Sequence, residues 1–128
     1  MNANEREELN DLMEKVVGAV YEVSNKLGSG FLEKVYERAL IRELDLRGIR
    51  AESQVPMKVS YKGGIVGEYV ADIFVDKKLL VELKCVDTFQ SEHIAQCINY
   101  LKASDQKILL LVNFQHSKVE WKRVVLDF

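Results

Sequence analysis

Three charged residues, Asp72, Glu82 and Lys84, interrupt two apolar runs in the segment EYVADIFVDKKLLVELKCV, residues 68 to 86. The segment reads as two strands joined by a tight turn. Side chains alternate faces along a strand. Glu82 and Lys84 therefore share a face, while Val81, Leu83 and Cys85 point the other way, and Asp72 shares its face with Val70 and Phe74. Directly opposed residues of an antiparallel pair have numbers that sum to a constant. A three-residue turn of Asp76, Lys77 and Lys78 closes Val75 on Leu79 and sets Asp72 opposite Glu82, with Cβ atoms ~4.5–5.5 Å apart. A two-residue turn would separate their faces. Two carboxylates that close, in an apolar hairpin, repel each other and lose hydration, so they call for a cation. Lys84 supplies one in a structural salt-bridge triad. A divalent metal supplies another: hard carboxylate oxygens suit Mg²⁺, which keeps waters and takes one or two protein carboxylates plus a substrate phosphate. Lys84 would then orient or deprotonate an attacking water, or steady transition-state charge. Spacing alone leaves both readings open.

Polar groups also interrupt two helical faces. Glu33 and Tyr36 share a side with Leu40, and Gln96 and Tyr100 lie four apart beside Ile94, Cys97 and Leu101. Each has an ordinary explanation. Glu33 suits the first turn of a helix, the tyrosines suit a core with their hydroxyls at its rim, and Gln96 suits solvent. His93 precedes Gln96 by three residues and reads as a surface or supporting residue. His116 falls in a turn, and Trp121 reads as packing.

The elements that must position these groups follow from periodicity. Leu9, Met13, Val16, Val20 and Leu27 mark an amphipathic helix over residues 5 to 27, with Gly28 suited to its C-terminal cap. A second helix runs from about Phe31 to Leu46. From Ile49 the period becomes two: a strand through QVPMKVSY, a Gly63-Gly64 hairpin turn, a strand over 65 to 75 and another over 79 to 86. A helix spans about 89 to 103. KILLLVNF is a short continuous apolar run, the mark of a strand buried on both faces, and KVEWKRVVLDF is the last strand. The order α-α-β-β-β-α-β-β specifies a mixed α/β domain with one central sheet covered by helices.

Taken together, these residues resemble the PD-(D/E)XK nuclease superfamily, and more closely the small GxxExxY proteins within it. GFLEKVY carries Gly30, Glu33 and Tyr36 at the naming spacing. The nuclease core follows as Asp72 and ELK (Glu82, Leu83, Lys84), and QCINY supplies a Q-x-x-x-Y element as Gln96 and Tyr100. The resemblance implies a restriction-endonuclease-like fold, a central mixed sheet flanked by helices. It implies a phosphodiesterase dependent on Mg²⁺ or Mn²⁺ that hydrolyses nucleic acid, DNA ahead of RNA. Asp72 and Glu82 would ligate the metal with the backbone carbonyl of Leu83, and Lys84 would position or activate the attacking water. Glu33 would support the metal, and Gln96 and Tyr100 would orient the site or hold the nucleic-acid backbone. Ala71 stands where the pattern has a proline, whereas every charged position is intact.

Composition bounds the rest. The 128 residues, 48% hydrophobic and 30% charged, are expected to form one domain, 1–128, with residues 1–27 packing on its core. No apolar run is long enough for a membrane span. Cys85 and Cys97 lack zinc-site spacing, and the expected compartment is the cytoplasm, with both thiols reduced. The net charge of −2 argues against non-specific nucleic-acid binding by the whole surface. Five acids fall within the first 14 residues against Arg6, so the remainder carries a small positive excess. With so short a chain, low sequence specificity is expected, with recognition by loops, a second copy in a homodimer or a protein partner. The competing expectation is a non-catalytic interaction or assembly module that keeps the fold.

Overall fold

The computed structural model describes residues 1–126. Its elements are α1 (Ala3–Leu27), α2 (Glu33–Leu46), β1 (Ala51–Tyr61), β2 (Gly64–Val75), β3 (Leu79–Lys84), α3 (Ser91–Ser104), β4 (Ile108–Asn113) and β5 (Glu120–Val125). This is the order that periodicity specifies. The outer boundaries differ by one or two residues: β3 stops at Lys84 rather than Val86, and β5 starts at Glu120. The end of the last expected strand, residues 127–128, lies outside the described residues.

One five-stranded sheet has the order β1-β2-β3-β4-β5. The β1–β2, β2–β3 and β4–β5 pairs are antiparallel, and β3–β4 is parallel. The parallel pair needs a long crossover, which α3 supplies. Helices α1 and α2 cover one face, where Val16, Val20 and Leu40 pack with Ile73, Val81 and Leu110. Helix α3 covers the other, where Cys97 and Leu101 pack with Leu80, Leu109 and Val124. Strand β4 is buried at every position, which accounts for its unbroken apolar run.

Two turns fix the registers. The β2–β3 ladder pairs Val75 with Leu79, Phe74 with Leu80 and Ile73 with Val81, as the three-residue turn requires. The β1–β2 hairpin differs from expectation. Tyr61 pairs with Gly64, so the turn residues are Lys62 and Gly63, at φ 48° and 81°. Positive φ at both central positions fits the twist of a two-residue hairpin. A register shift between Val59 and Ser60 moves the turn back by one residue.

Gly28 ends α1 with φ 70°, its N–H donating to the Ser24 carbonyl. Tyr36 is fully buried and stacks on Phe114 at 4.4 Å between ring centroids. Its hydroxyl donates to the Gly28 carbonyl at 2.6 Å and accepts from the Phe31 N–H at 3.3 Å. The tyrosine of the GFLEKVY segment thus latches the α1–α2 connection, which sets where Glu33 begins α2.

Candidate active site

The β2–β3 ladder ends at Ile73–Val81, while β3 continues through Glu82, Leu83 and Lys84 paired to β4 alone. Beyond that point β2 stays with β1, so the sheet forks at Asp72. The Asp72 carboxylate spans the fork, with Oδ2 accepting the Leu83 N–H at 2.8 Å. This side-chain bond takes a backbone donor that would otherwise be left on the unpaired edge of β3.

Asp72 does not share its face with Val70 as strict alternation requires. Tyr69 and Ala71 pack in the α3-side cluster, whereas Ile73 and Val75, of the same parity, pack under α1 and α2. Val70 is 45% exposed. The strand pair is kinked there: the β1–β2 ladder skips Gln54–Asp72, and Gln54 adopts φ 54°. The Gln54 side-chain amide donates to Glu37 Oε1 of α2 at 2.7 Å, and Lys34 holds the other oxygen of Glu37 at 2.9 Å. A buried anchor on α2 therefore ties down the kink that turns Asp72 toward Glu82.

Glu82 is 6% exposed, and its Oε1 has no hydrogen-bond partner. Burial, then the charge of Asp72 and hydrogen bonding to it, push the Glu82 carboxyl up to about 9, and Lys84 offsets this only slightly. The ion pairs among the described residues join Lys84 to neither carboxylate. The salt-bridge triad is therefore not formed, and a buried carboxylate oxygen is left without a counterpart. A bare oxygen beside a second carboxylate is the donor chemistry a hard divalent ion takes. Among the described residues no group of three or more His, Cys, Asp and Glu side chains gathers for a metal. An ion here would complete its shell from backbone carbonyl, water and substrate.

Helix α3 roofs this pair. The Tyr100 hydroxyl is raised by burial, then by the charge of Glu82, with Asp72 contributing. Burial and then Glu82 push the Cys97 thiol up to about 12, and both cysteines are free. Tyr100 stacks on Tyr69 at 3.9 Å, with ring planes 6° apart, and the Tyr69 hydroxyl donates to the Tyr100 carbonyl at 2.9 Å. The structure thus brings Asp72, Glu82, Leu83, Lys84 and Tyr100 together.

It does not bring Glu33 or Gln96 into contact with the carboxylates. Glu33 is exposed at the start of α2, and its Oε2 accepts the Cys85 N–H at 3.3 Å, one residue beyond Lys84. Gln96 is exposed one turn before Tyr100. His93 caps α3, its Nδ1 accepting the Gln90 N–H at 2.9 Å. Trp121 donates to the Tyr21 hydroxyl at 3.1 Å.

Three contributors escape sequence patterning: Tyr69, the Glu37–Gln54 anchor and Asn113. Asn113 is fully buried opposite Lys84 in the parallel ladder. Its amide donates to the Val86 carbonyl at 2.7 Å, and its oxygen accepts the Val86 and Gln115 N–H groups, both at 3.1 Å. It thereby fixes the chain leaving Lys84. A polar residue closing an apolar run, LLLVN, was the available signal.

The PD-(D/E)XK nuclease superfamily pattern matches residues 10–124. The chain belongs to that superfamily. No curated protein matches it in sequence. Among solved structures, the superfamily member resembles the protein SSO0001 with a TM-score of 0.58 at 17% identity, over 74% of this chain and 50% of that one. It also resembles an alkaline exonuclease, LHK-Exo, from Laribacter hongkongensis, with a TM-score of 0.54 at 15% identity, over 73% of this chain and 55% of that one. At such identity the likeness is one of fold. The chain spans about half the length of these structures. Superfamily membership supports nuclease activity in general terms, and no helix among the described residues is long and apolar enough to cross a membrane.

Proposed function

We propose that this chain is a metal-dependent phosphodiesterase of low sequence specificity acting on nucleic acid, DNA ahead of RNA. The observation that carries the reading is the unpartnered, buried Oε1 of Glu82 beside the Asp72 carboxylate. PD-(D/E)XK nucleases generally use divalent metals, and here Asp72, Glu82 and the Leu83 carbonyl would hold Mg²⁺ or Mn²⁺. When bound, that ion would neutralise the two carboxylates and polarise a phosphoryl oxygen.

Lys84 shares the face of Glu82, and its ammonium positions the attacking water and offsets charge on the phosphoryl oxygens. The water gives up a proton to solvent as its oxygen bonds to phosphorus, the bond to the leaving sugar oxygen breaks, and that oxygen takes a proton from solvent. Asp72 bridges the fork through the Leu83 N–H, which holds its carboxylate beside the more deeply buried Glu82. Glu33, bound to the Cys85 N–H, fixes the strand end just past Lys84, and so supports the site through backbone. Tyr100 excludes water from the Glu82 side, and Gln96, on the open turn of α3, meets the nucleic-acid backbone. The GxxExxY segment then serves geometry: Gly30 and Tyr36 set the start of α2, and Glu33 reads the end of β3.

The alternative, a non-catalytic interaction module, has the exposed apolar hairpin tip of Tyr61, Ile65 and Val66 in its favour. It gives no use to the orphaned Glu82 oxygen. A cleavage assay with Mn²⁺ or Mg²⁺ across single-stranded, duplex and branched DNA and RNA tests the reading. Cleavage is expected from the wild type and none from Asp72→Asn. Activity surviving Lys84→Ala at the wild-type rate would overturn the assigned mechanism.

A further inference from the structure

On the fork side of β3, two carboxylates take successive backbone donors. The Lys84 carbonyl bonds the other way, toward the end of β4, accepting the Phe114 N–H at 3.0 Å. Backbone groups alternate sides along a strand, so Leu83 and Cys85 present theirs to the fork. Asp72 Oδ2 holds the Leu83 N–H at 2.8 Å, and Glu33 Oε2 holds the Cys85 N–H at 3.3 Å. The two bonded groups are two residues apart, ~6.6 Å along the chain, about the reach of one nucleotide. Where this edge ends, a hollow of ≈ 540 Å³ opens, lined by Gly30, Phe31, Leu32, Glu33, Cys85 and Gln115.

Two of its residues are apolar where packing and helix capping do not ask for it. Leu32 is 79% exposed and stands at the N-cap of α2 without a side-chain cap bond, a position that favours Ser, Thr, Asp or Asn. Phe31 is 47% exposed yet firmly held. Its ring makes a T-shaped contact with Tyr36 at 6.1 Å between centroids, its N–H donates to the Tyr36 hydroxyl at 3.3 Å, and its carbonyl accepts from the Cys85 thiol at 3.9 Å.

Resting on the nuclease reading, we propose that Phe31 and Leu32 form a stacking subsite for one unpaired nucleobase, that of a nucleotide next to the scissile phosphate. Continuity selects the occupant. The hollow shares Glu33 and Cys85 with the edge that carries Asp72, so a strand whose phosphodiester lies at Asp72 and Glu82 brings a neighbouring base here. An aromatic face receives any base, and Gln115 adds an amide that both donates and accepts, so the subsite gives affinity without sequence preference. A base inside a duplex has both faces covered by its neighbours. The subsite therefore selects single strands, frayed ends and unpaired bases.

The test uses the full chain in EDTA, so that binding is read without cleavage. The probes are a short fluorescein-labelled oligothymidylate, an abasic oligomer with the same sugar–phosphate chain, and a duplex of the same length. Anisotropy titrations should show the oligothymidylate bound at least about fivefold more tightly than either of the others. Phe31→Ala with Leu32→Ala should bring it down to the abasic value, and Phe31→Trp should keep the preference. Leu32→Ala alone, at a side chain largely in solvent, should reduce the preference without moving the melting midpoint. Wild type that binds the oligothymidylate and the abasic chain alike, or neither, overturns the proposal, as does a wild-type preference in the folded double alanine variant. Cleavage is scored separately. If wild type cleaves and Asp72→Asn does not, while the two chains bind alike, the subsite fails and the nuclease reading stands. If nothing is cleaved yet the preference follows Phe31, the base-binding surface stands and the nuclease reading fails.

Discussion

Glu82 carries the strongest electrostatic constraint in the structure. Its carboxyl is pushed up to about 9 by burial and by Asp72, against an ordinary value near 4.5. The folded chain therefore keeps a proton that the unfolded chain gives up. The stabilising contribution is fully present below the unfolded value near 4.5 and is lost as pH rises toward 9. Metal-free thermal melts should accordingly fall in midpoint from pH 5 to pH 9. Glu82→Gln, which keeps shape and hydrogen-bonding capacity without ionising, should flatten that decline, melt higher than wild type at pH 8 and cleave nothing. Lys84→Ala should behave oppositely in one respect. It should bind metal as well as wild type but lose about 10²–10⁴ in kcat, as expected when a group acts on the water and the transition state. A Lys84→Ala variant that loses metal but keeps kcat would exchange the two roles.

The β1–β2 hairpin and its kink decide whether Asp72 reaches Glu82 at all. The register of β3 was legible because one parity choice, three turn residues at Asp76 to Lys78, fixes the pairs from Val75–Leu79 to Ile73–Val81. The expected direct Asp72–Glu82 pair is absent from the ladder because the sheet forks there. The kink was not legible. It depends on Gln54 holding φ 54° and bonding Glu37, a contact between α2 and β1 that no period encodes. By inverting parity between Ala71 and Ile73, it also hides Tyr69 from any face count. Asn113 escaped for a similar reason, since its partners Val86 and Gln115 are brought to it by the parallel ladder and the following turn. The hairpin tip misled because two adjacent glycines, Gly63 and Gly64, both suit a turn, and the register shift at Val59/Ser60 selects Lys62–Gly63. Two measurements follow. Lys62→Asn, a residue that tolerates positive φ, should stabilise by ~0.5 kcal/mol and leave cleavage unchanged. Glu37→Ala strips the Gln54 amide of its partner. It should cost about 1–3 kcal/mol and, with the fold retained, lower kcat more than it raises KM for the nucleic acid.

The whole molecule divides its two faces by purpose. Helices α1 and α2 bury the larger core under the sheet, while α3 leaves room on the other face for Tyr69, Tyr100 and the carboxylates. The crossover that makes β3 and β4 parallel also brings α3 over Glu82, so the fold that was readable from the order of elements is what assembles the site. In the metal-free protein Glu82 keeps its proton beside Asp72 until the pH nears 9, so an ion must displace that proton, and ligation should couple both to pH and to global stability. An ion at about 100 times its Kd adds ~2.7 kcal/mol, and EDTA should lower the melting midpoint by roughly 10 °C for a domain of this size. The most direct measurement is a calorimetric titration of metal-free wild type, Asp72→Asn and Glu82→Gln with Mn²⁺ at pH 7.5. Wild type should bind the ion with neither variant retaining that binding, while both variants remain folded. Equal Mn²⁺ binding by Glu82→Gln and wild type, or none by folded wild type, would contradict a metal held between Asp72 and Glu82.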